Sequence, residues 1–409
     1  MSLQEEQQLE ETYVMHTFGR KPVELVSGKG MNVTDDQGRT YLDFIGGIGV
    51  ISLGHCHPRL VSALQGQVAK LMHVSNYYYI ENRGELAHHL SDMLNETVPA
   101  AEQEPWQTFF GNSGAEANEC AIKLARLYAR KKAEKAGKNS WPRTIVTLKK
   151  SFHGRTLATL AATAQPAKQE AFQPLPDGFI ATPRNDVAAL EQLFAQHGDE
   201  ICAVMLEPIQ GECGVYPCSQ EFMEAVRRLT SEHGALFIVD EVQCGLYRCG
   251  TYPYAFQHYG VVPDVVTMAK GIAGGVPMGA CAAPTSIASA FEPGDHGSTF
   301  GGSNLAITAA RTVVETIKDE GIAQNVTEVG AYLQQKLSEL PGVVEVRGKG
   351  LMVAADLSEG HDAPGIVLAA LDKGLLLNAT GPRTLRFLPP LICTKDDVDV
   401  LMQRLGELL

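Results

Sequence analysis

Long apolar runs are missing from this 409-residue sequence. None approaches the roughly 20 residues that cross a bilayer as a helix, so a membrane span is not expected. Basic residues are in short supply: 34 Lys and Arg face 47 Asp and Glu, for a formal net charge of −13. An acidic surface repels phosphate backbones and anionic lipid, which argues against nucleic acid or a membrane as partner. The nine cysteines lack framework spacing; Cys56, Cys120, Cys202, Cys213, Cys218, Cys244, Cys249, Cys281 and Cys393 are scattered singly. An odd, dispersed set reads as reduced thiols. Cys213/Cys218 and Cys244/Cys249 do not make the C-x-x-C of a zinc knuckle. His55-Cys56-His57 lies in a Gly/Pro loop and reads as a turn before a helix, so no metal is expected. The first residues, Met-Ser-Leu-Gln-Glu-Glu-Gln-Gln, lack the basic and apolar regions of a secretory signal. The expectation is a cytoplasmic protein.

What is present is ordinary globular composition, 44% hydrophobic and 20% charged. The length suits one large domain with a smaller partner. Met31–Thr34 and Thr40–Phe44 alternate around Asp35-Asp36-Gln37-Gly38, a hairpin signal. Residues 59–72 and 83–95 have helical apolar spacing. From about 106, apolar runs at 107–110, 144–148, 201–206, 235–239 and 263–268 alternate with helical stretches such as 115–131 and 219–233. That alternation predicts a mostly parallel α/β sheet flanked by helices. Helical spacing at 303–318 and 324–340, then shorter strands at 343–356 and 384–388, predicts a smaller α/β lobe. The expected division is 1–60 packing with the small lobe, 61–296 as the large domain and 297–409 as the small one.

Each apolar run of the central region ends in a residue capable of chemistry. They lead in turn to Gly111-Asn112-Ser113-Gly114, Phe152-His153-Gly154-Arg155, Glu207-Pro208, Asp240-Glu241-Val242-Gln243 and Ala269-Lys270-Gly271. In a parallel sheet these endings share one edge, where ligands bind. Gly111–Ala115 opens a helix whose free N–H groups would hold a phosphate, although alone it could be a plain strand–helix turn. It matches neither the Walker pattern nor G-x-G-x-x-G. Asp240 follows the apolar Leu236–Val239, and a carboxylate there needs a cation, a cap role or an ion pair. Lys270, in a Gly-rich stretch, could form an imine with an aldehyde if its pKa is lowered. Phosphate cradle, acid, flat Phe152 and amine together fit pyridoxal phosphate.

The sequence resembles the class III, fold-type I, pyridoxal-phosphate aminotransferases over nearly its whole length. The resemblance rests on Phe110–Asn118 (FGNSGAEAN), Ser151–Thr156 (SFHGRT), Glu207–Glu212 (EPIQGE), Asp240–Gly245 (DEVQCG), Ala269–Gly279 (AKGIAGGVPMG) and His296–Gly302 (HGSTFGG). It implies that Lys270 binds the cofactor aldehyde, Asp240 the pyridine nitrogen and Gln243 the phenolic oxygen. Phe152 would stack on the ring, and Ser113, Gly114 and Ala115 would hold the phosphate. Thr299 would reach the cofactor of a neighbouring subunit, which implies a homodimer with shared active sites. Arg155, with Ser298 beside it, would clamp the α-carboxylate of N2-acetylornithine. Arg386 would bind 2-oxoglutarate, with Glu207 neutralising it in the other half-reaction. The implied activity is transfer of the δ-amine of N2-acetylornithine to 2-oxoglutarate, as in arginine biosynthesis. Succinylornithine, ornithine or 4-aminobutyrate are the alternative donors. Cys244–Gly250 and Gly301–Asn304 depart from the family pattern.

Overall fold

The computed structural model describes residues 2–409. Its centre is a seven-stranded sheet. In spatial order the strands are Trp106–Gly111, Gly279–Pro284, Val265–Met268, Leu236–Asp240, Ile201–Leu206, Thr144–Leu148 and Phe179–Thr182. All pairings are parallel except those of Gly279–Pro284, which runs against both neighbours. Ile201–Leu206 and Leu236–Asp240 are buried at every position, which is why they read as unbroken apolar runs rather than alternating ones. The sequence reading located five of the seven strands. It missed Phe179–Thr182 and Gly279–Pro284. The latter, Gly-Ala-Cys-Ala-Ala-Pro, has little strand propensity and is formed by its position between two partners.

Helix Gly114–Lys135 lies across this sheet and explains the small side chains. Ala121, Ala125, Cys281, Ala283, Ile238 and Val265 share one apolar cluster. Larger residues would push the helix off the strands and move its first turn.

The N-terminal hairpin forms as expected, Asn32–Asp35 against Thr40–Asp43, and Leu25–Lys29 extends it. Leu375–Leu376 joins the same sheet parallel to Thr40–Asp43, so the two ends of the chain share a sheet. A further four-stranded antiparallel sheet has the order Val343–Lys349, Met352–Leu357, Thr384–Phe387, Asn378–Ala379. Helix Ile322–Ser338 packs on this sheet and against Lys395–Gly406. Helix Asn304–Asp319 starts where the spacing placed it, capped by the Ser303 side chain, and runs back over the large sheet's helices. No helix among the described residues is long and apolar enough to cross a membrane.

Candidate active site

The carboxyl ends of the parallel strands surround a cavity of about 410 Å³. Ser113, Gly114, Ala115, Phe152, Arg155, Glu207, Asp240, Gln243 and Lys270 all line it. The strand Gly279–Pro284 enters the sheet at this same edge, with Gly279 opposite Gly111. A Cβ on Gly279 would stand 2.1 Å from the Ser113 carbonyl oxygen, so only glycine lets the strand meet the turn that starts the long helix.

That helix begins at Gly114. Ser113 caps it, its Oγ accepting from the Glu116 N–H at 3.2 Å. The first N–H groups and the positive helix end therefore face the cavity wall, where an anion is stabilised.

Asp240 closes the strand Leu236–Asp240 and is 3% exposed. Oδ2 accepts from Asn118 Nδ2 at 2.8 Å and stands 2.8 Å from His153 Nδ1. Oδ1 accepts from the Val242 N–H at 3.0 Å. Asn118 is itself held, accepting from Thr267 Oγ1 at 2.7 Å and donating to the His153 carbonyl at 2.7 Å. Burial opposes charge on His153, but hydrogen bonding and attraction to Asp240 override it and raise its pKa. The acid is thus fixed in place inside an apolar wall by Asn118, His153 and a backbone N–H, which suits a cationic ring nitrogen.

Lys270 follows the strand Val265–Met268 with φ 47, a left-handed conformation that is costly for lysine. Burial, reinforced by the like charge of Arg386, lowers its pKa against the pull of Glu212, Asp240 and Glu207. A lysine with a lowered pKa is the nucleophilic kind.

The carboxylates Glu207 and Glu212 differ sharply. Glu207 Oε1 accepts from the Phe152 N–H at 2.8 Å and Oε2 from the Gly211 N–H at 3.3 Å. Burial pushes its pKa up to about 7. Glu212 is also driven up by burial, but Arg386 and Lys270 outweigh this and bring it down to about 2.

This corrects the expected partner of Arg386. Its Nη1 donates to Glu212 Oε1 at 2.7 Å, to Gln243 Oε1 at 3.2 Å and to the Gly211 carbonyl at 3.1 Å, while Nε donates to Asn378 Oδ1 at 3.1 Å. Glu207 is already bound by two backbone N–H groups at the strand end, whereas Glu212 lies beyond the turn, facing the C-terminal sheet. Gln243 Nε2 also donates to Glu212 Oε1 at 2.9 Å. Arg386 sits behind Gln243 and Glu212 and does not line the cavity.

Ser298 and Thr299 also lie away from the cavity. They line a surface depression of about 1040 Å³ with His73, Asn76 and Tyr77. Ser298 Oγ accepts from Asn112 Nδ2 at 3.2 Å and from the Gly301 N–H at 3.0 Å, rather than meeting Arg155. Phe152 carries Arg155 and Lys168 near its ring, at 5.6 and 5.5 Å from the centroid.

Glu212, Asn118 and His153 were missed as functional positions. All three stand inside motif segments, but their partners are 174, 122 and 87 residues away in sequence, so spacing alone could not pair them.

A helix start for phosphate, a fixed acid for a ring nitrogen and a lysine for an aldehyde are the groups pyridoxal phosphate requires, and the cavity brings them together. Fold and site define a pyridoxal-phosphate-dependent transferase of fold type I. Residues 15–409 match the family model of class-III aminotransferases. The chain is 46% identical over 404 residues to the acetylornithine aminotransferase of Caldanaerobacter subterraneus, covering 98% of both. It is 44% identical to that of Methanocaldococcus jannaschii, covering 98% of this chain and 96% of the other. Among solved structures it resembles the ornithine aminotransferase of Toxoplasma gondii (TM-score 0.91, 29% identity, 100% and 95% covered). It also resembles the N-acetylornithine aminotransferase of Stenotrophomonas maltophilia (TM-score 0.81, 36% identity, 98% and 97% covered). The chain belongs to the class-III aminotransferase family.

Proposed function

We propose that this aminotransferase moves the δ-amino group of N2-acetylornithine to 2-oxoglutarate, giving N-acetylglutamate 5-semialdehyde and glutamate, as a cytoplasmic step of arginine biosynthesis. The observation that carries the reading is the placement of two guanidinium groups. Arg155 lines the cavity, open to a substrate carboxylate, while Arg386 is covered by Glu212. The names of the relatives support the same donor.

Bound pyridoxal phosphate supplies an aldehyde that condenses with amines and a ring that accepts the electron pair of the reacting carbon. Ser113, Gly114 and Ala115 would hold the phosphate, Asp240 the ring nitrogen, Phe152 the ring face and Gln243 the ring's phenolic oxygen; all of them line the cavity. Lys270 would carry the cofactor at rest and, once freed by the incoming substrate amine, its Nζ would take the proton from the donor δ-carbon and pass it to the cofactor rather than back to that carbon. Arg155 orients the donor's α-carboxylate through a planar fork. While the donor is bound, Glu212 covers Arg386 and leaves no second strong anion site. When 2-oxoglutarate arrives, its carboxylate competes with Glu212 for Arg386, so one pocket serves two substrates of different charge.

The homodimer with shared sites belongs to the same reading. Tyr77, Tyr78, Tyr79 and Phe300 are exposed, and Phe300 is next to Thr299. A second copy covering them would bring Thr299 to the phosphate of its neighbour and Ser298 toward the donor carboxylate. The chain then divides into residues 1–60 with a small C-terminal domain, 297–409, and a large cofactor domain, 61–296.

The test is a comparison of turnover on N2-acetylornithine, N2-succinylornithine, ornithine and 4-aminobutyrate with 2-oxoglutarate. Acetylornithine should have the highest kcat/KM. Preference for any of the other three overturns the assigned donor.

A further inference from the structure

The loop Gln243–Gly250 makes contacts beyond those the chemistry above uses. Leu246 and Tyr247 are consecutive bulky residues at φ 53 and 60, both left-handed. Such strain persists only where the surroundings over-determine it. Here the surroundings are the grip of Arg248 on another part of the fold. Arg248 is 3% exposed, and its Nη1 donates to the carbonyls of Leu351, at 3.1 Å, and Pro389, at 2.5 Å. In return the Leu351 N–H donates to the Arg248 carbonyl at 3.0 Å. The turn carrying Leu351 is pressed against the loop: a Cβ on Gly350 would stand 2.6 Å from the Arg248 carbonyl oxygen.

No carboxylate faces this guanidinium among the described residues, and burial lowers its pKa to about 10. A buried cation satisfied by carbonyls alone is a poor way to gain stability, since an apolar side chain of similar size would avoid the desolvation cost. What the guanidinium adds is a planar, rigid Nη1 whose two N–H groups fix two carbonyls relative to each other.

Those carbonyls belong to the C-terminal sheet. Leu351 lies in the turn between Val343–Lys349 and Met352–Leu357, and Pro389 follows the strand Thr384–Phe387, which carries Arg386. The other end of the loop touches Arg386 itself, through Gln243 Oε1 at 3.2 Å. The loop therefore holds this strand at two points: the Arg386 head group, and the backbone three residues further on.

We propose that Arg248 is a positioning residue for the acceptor half-reaction. By fixing Leu351 and Pro389 it sets how far Arg386 stands from the Gln243 and Lys270 wall, and so tunes affinity for a five-carbon dicarboxylic oxo acid that it never touches. The inference rests on the reading of Arg386 as the acceptor's carboxylate site. The donor is held by Arg155, within the large sheet's own loops, and is insensitive to this distance.

The experiment compares Arg248→Met and Arg248→Lys in the holoenzyme, with the two half-reactions followed separately by cofactor absorbance. Arg248→Met should raise the apparent Kd or KM for 2-oxoglutarate by about tenfold or more, because a small misplacement of a binding group is costly. The rate and KM of the acetylornithine half-reaction should stay within about twofold. Arg248→Lys keeps the charge and can reach one carbonyl, so its effect should be smaller, and it serves if the Met variant fails to fold. Arg386→Ala separates the two readings. If it leaves the 2-oxoglutarate KM unchanged, the acceptor-site reading fails. If it raises that KM while the Arg248 variants change both half-reactions equally, or neither, Arg248 is only structural support and the proposal is overturned.

Discussion

The edge of the seven-stranded sheet and its junction with the C-terminal sheet hold charge in opposite ways. At the edge, Asp240 is clamped by Asn118, His153 and a backbone N–H, and no mobile side chain competes for it. At the junction, Arg386 and Glu212 neutralise each other, with Glu212 partly open to solvent at 26% exposure. The first arrangement suits a permanently held cofactor. The second suits a switch, because a substrate carboxylate can replace the one the protein supplies. The pairing of Glu207 with Glu212 repeats the lesson: five residues apart, one is raised to about 7 by burial and the other lowered to about 2 by a cation.

The largest effect should come from the edge. Lys270→Ala should lower turnover by about 10⁴-fold, with the fold intact by circular dichroism. The cofactor should then show free-aldehyde rather than imine absorbance. Retained turnover would remove the edge from the chemistry altogether.

Next in size is a crossover between the two arginines. Arg155→Ala should lower kcat/KM for acetylornithine by about 10–100-fold, the scale of one charge-assisted contact. It should change that for 2-oxoglutarate less. Arg386→Ala should do the reverse. Equal losses on both substrates would break the distinction between edge and junction.

Glu212→Ala should destabilise the protein by about 2 kcal/mol, because it leaves Arg386 buried without an anion. The figure is set below that of a fully buried pair because Glu212 is partly exposed. Urea unfolding of the holoenzyme measures it. The same variant should bind inorganic and organic dianions more tightly at Arg386, which inhibition constants would report.

The smallest effect is in pH dependence. Glu207 has a folded pKa of about 7 against an ordinary 4.5, so the native state holds more protons than the unfolded one between those values. Stability therefore falls as pH rises through that window. Glu241 is also raised to about 7 by burial and acts in the same direction. Glu207→Gln should raise Tm at pH 8 and change it little at pH 4.5. Glu212 has the opposite sign: its contribution is complete above about 4.5 and is lost as pH falls toward 2. Thermal melts should therefore separate Glu207→Gln from the parent between pH 4.5 and 8, while the Glu212→Gln difference stays constant there and shrinks only below about pH 4.5.

The edge was largely legible because each strand end couples a local apolar run to a local polar residue, as in Leu236–Asp240 and Val265–Lys270. The antiparallel strand Gly279–Pro284 was not, because small residues become a strand only between two partners. The Arg386–Glu212 pair was hidden for a related reason: two acids in one motif, Glu207 and Glu212, are equivalent in sequence, and the turn at Gly211 sends them to different partners. A Cβ on Gly211 would stand 1.8 Å from Gln243 Oε1, so a larger residue there would displace the Gln243 side chain.

Sequence alone determined the sheet's parallel core, the residues at its edge and the cofactor chemistry they suit, because hydrophobic periodicity and strand endings are local properties of the chain. Tertiary structure decided which acid meets Arg386, how Asp240 is held, and how the loop with Arg248 ties the two sheets together. Those are contacts between segments far apart in the chain, and burial and electrostatics select among candidates that spacing leaves equal.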